Sequence, residues 1–174
     1  MAATPDKTFA LEQPLDLFRK LQWEWDQLRR FDITEAAIAK QYVALNAAMT
    51  AWHLTDWFCA RMEKQHYARL SIEVGEAIDN CRVFKKWVLR QRNISICEQI
   101  AVSTKHYQID RREHVVATDR REFPLADGLV THYLMVEDHN SLQPIETVIG
   151  FAIAFWRTVF LMTGLATEED VAPK

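Results

Sequence analysis

Four glycines and five prolines are all that the 174 residues contain, and this scarcity restricts the fold more than any other feature of the chain. β-Rich folds need frequent tight turns, which draw on glycine for positive φ and on proline for a preset φ. With so few of either, long uninterrupted helices are expected. The composition, 49% hydrophobic and 26% charged, is that of a chain that packs a core rather than one that stays disordered. A chain of this length ordinarily builds one domain. The sequence therefore predicts a mainly α fold: residues 1–174 as a single helical domain, a bundle of about five helices with a small β-hairpin insertion before the last one, and flexible ends over 1–12 and 166–174.

The apolar spacing places the helices. Pro14 suits a first helical turn, and Leu15, Phe18, Leu21, Trp25 and Leu28 follow at intervals of three and four, up to Arg29 and Arg30. Asp32 and Glu35 have the form of a capping box, opening a second helix that runs to about Arg61. Its alanine-rich stretch, Ala36 to Ala51, allows neighbouring helices to approach closely. A third helical region spans Tyr67 to Arg92, with Gly75 placed to bend or split it. Asn93 is a candidate cap for a fourth, Ile94 to His106. Charges then cluster in Asp110–Glu113 and Asp119–Glu122 around Val115 and Val116, with Pro124 and Asp127-Gly128 as turn signals. That reads as a solvated hairpin whose better strand is Leu129 to Val136. Asp138 to Ser141 offers helix caps, Pro144 falls in the first turn of an apolar helix from Ile145 to Met162, and Gly164 is placed to end it.

A net charge of −3 gives no general electrostatic pull toward nucleic acid or an anionic membrane. The N-terminus lacks a signal-peptide layout, and the apolar run from Val148 to Leu165 is interrupted by Arg157. A soluble, cytoplasmic protein with no membrane contact is expected. Cys59, Cys81 and Cys97 are odd in number, widely spaced and without a CxxC pair. Reduced thiols are expected, with Cys97 an inert buried one among Ile94, Ile96 and Ile100. The aromatic pairs Trp23/Trp25, Trp52/Trp57 and Phe155/Trp156 are expected in the core.

The candidate chemistry lies on the second helix. Asn46, His53 and Asp56 interrupt an apolar stretch flanked by Trp52, Trp57 and Phe58. At about 100° per residue, positions 46 and 53 nearly superpose and 56 lies about 60° away, so all three share one face. Trp52, Trp57 and Phe58 mark much of this helix as buried, so its polar groups are expected to need partners, and Lys105 and His106 at the end of the fourth helix are the candidates. The bland alternative is that His53 and Asp56 satisfy each other while Lys105 and His106 sit at a helix C-terminus. His53 and Asp56, spaced i and i+3, also suit two metal ligands, with His106, His132 or His139 as a third. No HExxH or HxxxH accompanies them, and neither a metal nor a cofactor is assigned. Finally, Arg61 and His66 stand with four residues between them, and these are side-chain types able, respectively, to stabilise phosphate charge and to move a proton.

Taken together, Asn46, His53-Leu-Thr-Asp56-Trp57, Cys97, Lys105-His106 and Phe155-Trp156 before Gly164 resemble small bacterial helical proteins of HEPN-like character. The Arg61…His66 spacing matches that family's motif, although Met62 stands where the family usually carries a polar residue. The resemblance implies a helix bundle, often dimeric, acting through protein or nucleic-acid partners in toxin–antitoxin, antiviral defence or regulatory roles. Some such proteins cleave RNA. In that alternative His53, His66 or His106 would be the acid/base, Arg61 or Lys105 would steady a phosphate, and Asp56 would orient an imidazole. The second alternative is a metal-dependent hydrolase. The expected partner is another protein or a second copy, with RNA as a further candidate and no small-molecule ligand identified.

Overall fold

The computed structural model describes residues 11–30, 37–104, 116–124, 130–139 and 141–172. In chain order these form α1 (Pro14–Arg30), α2 (Ala37–Arg61), α3 (Lys64–Val74), α4 (Cys81–Leu89), α5 (Arg92–Ser103), β1 (Val116–Pro124), β2 (Val130–Asp138), β3 (Ser141–Pro144) and α6 (Ile145–Thr163). The fold is mainly α, with a small antiparallel sheet ahead of the last helix.

The expected helix from Tyr67 to Arg92 is two helices. Gly75 adopts φ 71° and caps α3, its N–H donating to the Ser71 carbonyl. Asn80 then opens α4 by accepting from the Val83 N–H at 3.0 Å. Between them Ser71 Oγ accepts from the Ile78 N–H at 2.9 Å, tying the linker back onto α3. The next helix begins at Arg92 rather than after an Asn93 cap, with Gln91 as the flanking residue. The Asp32–Glu35 box, the Asp110–Glu113 run and the Asp127-Gly128 turn lie outside the described residues.

The sheet has one strand more than a hairpin. β1 pairs with β2 from Val116↔Asp138 to Pro124↔Val130, and β2 pairs with β3 from Met135↔Pro144 to Asp138↔Ser141. Asp138 and Ser141, expected among helix caps, instead pair with each other across β2 and β3, and His139 takes φ 51°. Asp138 is buried there and is held by Arg92 Nε at 2.6 Å. Pro144 is the N-cap of α6, not part of its first turn.

α6 packs against α1, α2, α3 and α5. By length and mean hydropathy (1.6 over its most apolar stretch) it is apolar enough to cross a membrane. Val148, Ile149, Ala152, Trp156, Val159 and Phe160 point into the domain instead. Trp156 stacks on Phe58 at a ring separation of 5.1 Å, and Phe160 meets Phe58 at 4.6 Å and Phe18 at 5.3 Å. Ala44, Ala47, Ala48 and Ala51 make the buried stripe of α2, as its composition suggests. Two expectations of burial are corrected. Trp23 is 60% exposed, because the apolar stripe of α1 runs through Leu17, Leu21 and Leu28 while position 23 falls on the far side. Conversely, the tail expected to fray is docked as far as Val171, which is fully buried and whose carbonyl accepts from Gln22.

Candidate functional site

The expected polar face of α2 lies toward solvent. Asn46 and Asp56 are exposed and His53 is half-buried, because the alanine stripe claims the inward side of the helix. Asp56 pairs with Lys85 of α4 at 2.5 Å. Lys105 and His106 lie outside the described residues. His132 lies on β2, and His139 is exposed at the β2–β3 reversal. Among the described residues no three His, Cys, Asp or Glu side chains gather as a metal-binding group.

Arg61 and His66 stand on either side of one short turn. Arg61 is the exposed last residue of α2, and His66 sits in the first turn of α3. Between them Met62 is buried and Glu63 flanks the start of α3. The Glu63 N–H donates to His66 Nδ1 at 2.9 Å. Nδ1 is therefore an acceptor and the ring proton sits on Nε2. A histidine in this position closes a helix N-terminus, one of the orphan-donor problems every helix must solve. In this tautomer the only basic lone pair of the ring is the one on Nδ1, so His66 can take up a proton only by giving up its bond to the Glu63 N–H.

The seam between α2 and α4 is closed at three depths. Phe58 and Phe84 meet inside at 6.1 Å. Asp56 and Lys85 pair on the outside. At the junction of the two helices, Cys59 and Cys81 form a disulfide with their Cα atoms 5.1 Å apart. This corrects the expectation of reduced thiols. The 22-residue separation carries no recognisable spacing, and only the α3 hairpin brings the last turn of α2 onto the first residue of α4. Cys97 is the free, buried cysteine, and burial pushes its thiol up to about 12.

The opposite end of α2 carries a feature that its sequence pattern contained but that the His53 cluster overshadowed. Ile38, Tyr42 and Leu45, spaced i, i+4 and i+7, are 62%, 63% and 37% exposed. Leu45 also lines a groove of about 330 Å³ between α2, α5 and the sheet, together with Ala44, Ile100, Leu134 and Ile145 and with Asp119 and Arg120 of β1, while Ile38 and Tyr42 continue the stripe along α2 outside that lining. Tyr133 of β2 adds a further exposed ring, 5.9 Å from Lys40 Nζ. Lys40 in turn pairs with Glu146 at 2.6 Å, fixing the start of α2 to the start of α6. The groove thus combines apolar side chains of α2, α5 and the sheet with the charged Asp119 and Arg120 of β1.

No protein-family model, curated protein or solved structure matches the chain.

Proposed function

We propose that the protein is a helical binding module that acts by docking a protein partner, or a second copy of itself, against the N-terminal half of α2. The observation that carries this reading is the exposed Ile38–Tyr42–Leu45 stripe, which reaches the groove at Leu45. Large apolar side chains gathered on a folded surface, next to a concavity with a few polar groups at its edge, mark interaction sites. The HEPN-like resemblance of the sequence suggests the setting: a cytoplasmic prokaryotic defence, toxin–antitoxin or regulatory system.

A photo-crosslinking residue introduced at Tyr42 in the producing cells tests it. The expected result is one discrete protein adduct, either this chain or a second species, that is lost on Ile38→Glu while the melting temperature stays unchanged. Adducts to RNA alone, or none, overturn the reading.

A ribonuclease is the second reading, and it is favoured by one observation: Arg61 and His66 flank a single turn at the end of α2. Degradation of RNA by the purified chain in EDTA, abolished by Arg61→Ala with folding intact, would establish it.

A further inference from the structure

We propose that the Cys59–Cys81 disulfide is a redox-operated clasp, which on reduction by a dithiol lets the α3–α4 lobe, residues 62–90, open as a unit while the rest of the fold holds. Both cysteines are only partly buried, at the outer end of the α2–α4 seam, whereas Cys97 is sealed in the core. A cellular or added dithiol therefore has a bond to reach, and it is one placed between two elements rather than within one.

What else holds the lobe is modest. α3 buries Tyr67 and Leu70, with Met62 and Ile78 in the flanking turns, and leaves Ile72 exposed. α4 buries Phe84, Trp87 and Val88 in nine residues. The ion pairs on the lobe, Asp56–Lys85 and Glu76–Arg90, are exposed ones, a class that contributes little in water. The lobe adds Leu70, Ile78, Phe84 and Val88 to the common core, whereas α1, α2, α5 and α6 supply the larger share of it, among them Phe18, Leu21, Leu54, Ile94, Ile96 and Trp156. Protein segments open in cooperative units drawn from the low end of local stability. A covalent tie from α2 to the first residue of α4 raises the opening free energy of that lobe, because an open lobe with the bond intact must stay looped.

The chemistry balances within thiol–disulfide exchange. One thiolate of the dithiol attacks a sulfur of the pair, forming a mixed disulfide and releasing the other cysteine as thiolate, which takes up a proton. The second thiol of the reductant then displaces the first cysteine. Two electrons and two protons pass to Cys59 and Cys81, and the reductant leaves as its cyclic disulfide.

Hydrogen exchange on the full chain, oxidised and after dithiothreitol, tests the proposal alongside thiol counting in denaturant. The expected result is one free thiol per oxidised chain and three after reduction, with amides of 64–89 exchanging roughly tenfold faster or more on reduction while those of α1 and α6 are unchanged. Cys59→Ser/Cys81→Ser should exchange like the reduced protein whether or not reductant is present. Three free thiols before reduction, no acceleration in the lobe, or an equal acceleration throughout the chain would each overturn it.

Discussion

Trp156 Nε1 donates to the Ala51 carbonyl at 2.9 Å, joining the middle of α6 to the middle of α2 inside the core. The indole is fully buried, and its ring lies against Phe58. Small residues on the facing stripe of α2, Ala47, Ala48 and Ala51, let the two helices come close enough for a side chain to reach a main-chain oxygen. Trp156→Phe keeps most of the apolar volume and loses the bond, and should cost about 1–2 kcal/mol. Trp156→Ala should cost about 3–5 kcal/mol. Urea titrations of the two variants check the order: equal losses would mean that the hydrogen bond and the ring volume are not separate contributions.

The Lys40–Glu146 pair behaves as a buried one, with side chains 11% and 19% exposed. Glu146 Oε2 has no hydrogen-bond partner among the described residues. Removing one partner strands the other charge, so Lys40→Met should destabilise by about 3 kcal/mol. Lys40→Met combined with Glu146→Leu should recover most of that loss, since a well-packed apolar pair can replace a buried ion pair. A double-mutant cycle by chemical denaturation reads the coupling, and additive losses would contradict it.

Two glycines should respond oppositely to alanine. Gly150 lies within α6, where an added Cβ would meet the Trp25 ring at 3.5 Å, an ordinary contact. Gly150→Ala is expected to stabilise by up to about 1 kcal/mol through helix propensity. Gly164 ends α6 at φ 73°, and a Cβ there would fall 2.0 Å from the Arg69 guanidinium. Arg69 is exposed and can move aside, so the left-handed backbone sets the cost, about 1–2 kcal/mol. Thermal melts of the two variants should shift in opposite directions.

Cys97 makes the stability of the chain fall in alkali. Its thiol ionises at about 12 when folded, against an ordinary 9.0, because the charged form loses its hydration in the core. Between those values the unfolded chain holds fewer protons than the folded one. The contribution is fully present below pH 9 and is lost as pH rises toward 12, by at most about 1.4 kcal/mol per pH unit. Cys97→Ala should start less stable at neutral pH and show a shallower decline across that window. Parallel declines in the two proteins would show that other groups carry the alkaline loss.

The α2 helix shows both the reach of the sequence and its limit. Its run to at least about Arg61, its alanine stripe and its place in a mainly α domain follow from local preference and periodicity, which act within a few residues and are written in the chain. Which face turns inward is a different matter. Both the alanine face and the face bearing His53 and Asp56 read as plausible interiors, and the choice was made by Trp156, Phe160 and Val148 of α6, about a hundred residues away. Once the alanines took the core, Asp56 was left at the surface to meet Lys85, and Ile38, Tyr42 and Leu45 were left facing out. Likewise, the splitting of the third helical region at Gly75 was legible, since only a residue free to adopt positive φ ends a helix that way at little cost. That the split folds α4 back until Cys81 meets Cys59 was not, because no spacing rule encodes a hairpin's closing angle. The sequence by itself determined the helical segments, the glycine-set ends at Gly75 and Gly164 and the mainly α fold class, all set by short-range physics. Only the tertiary structure decided which side chains became core, which became surface and which two sulfurs became one bond, because those outcomes depend on distances between residues far apart in the chain.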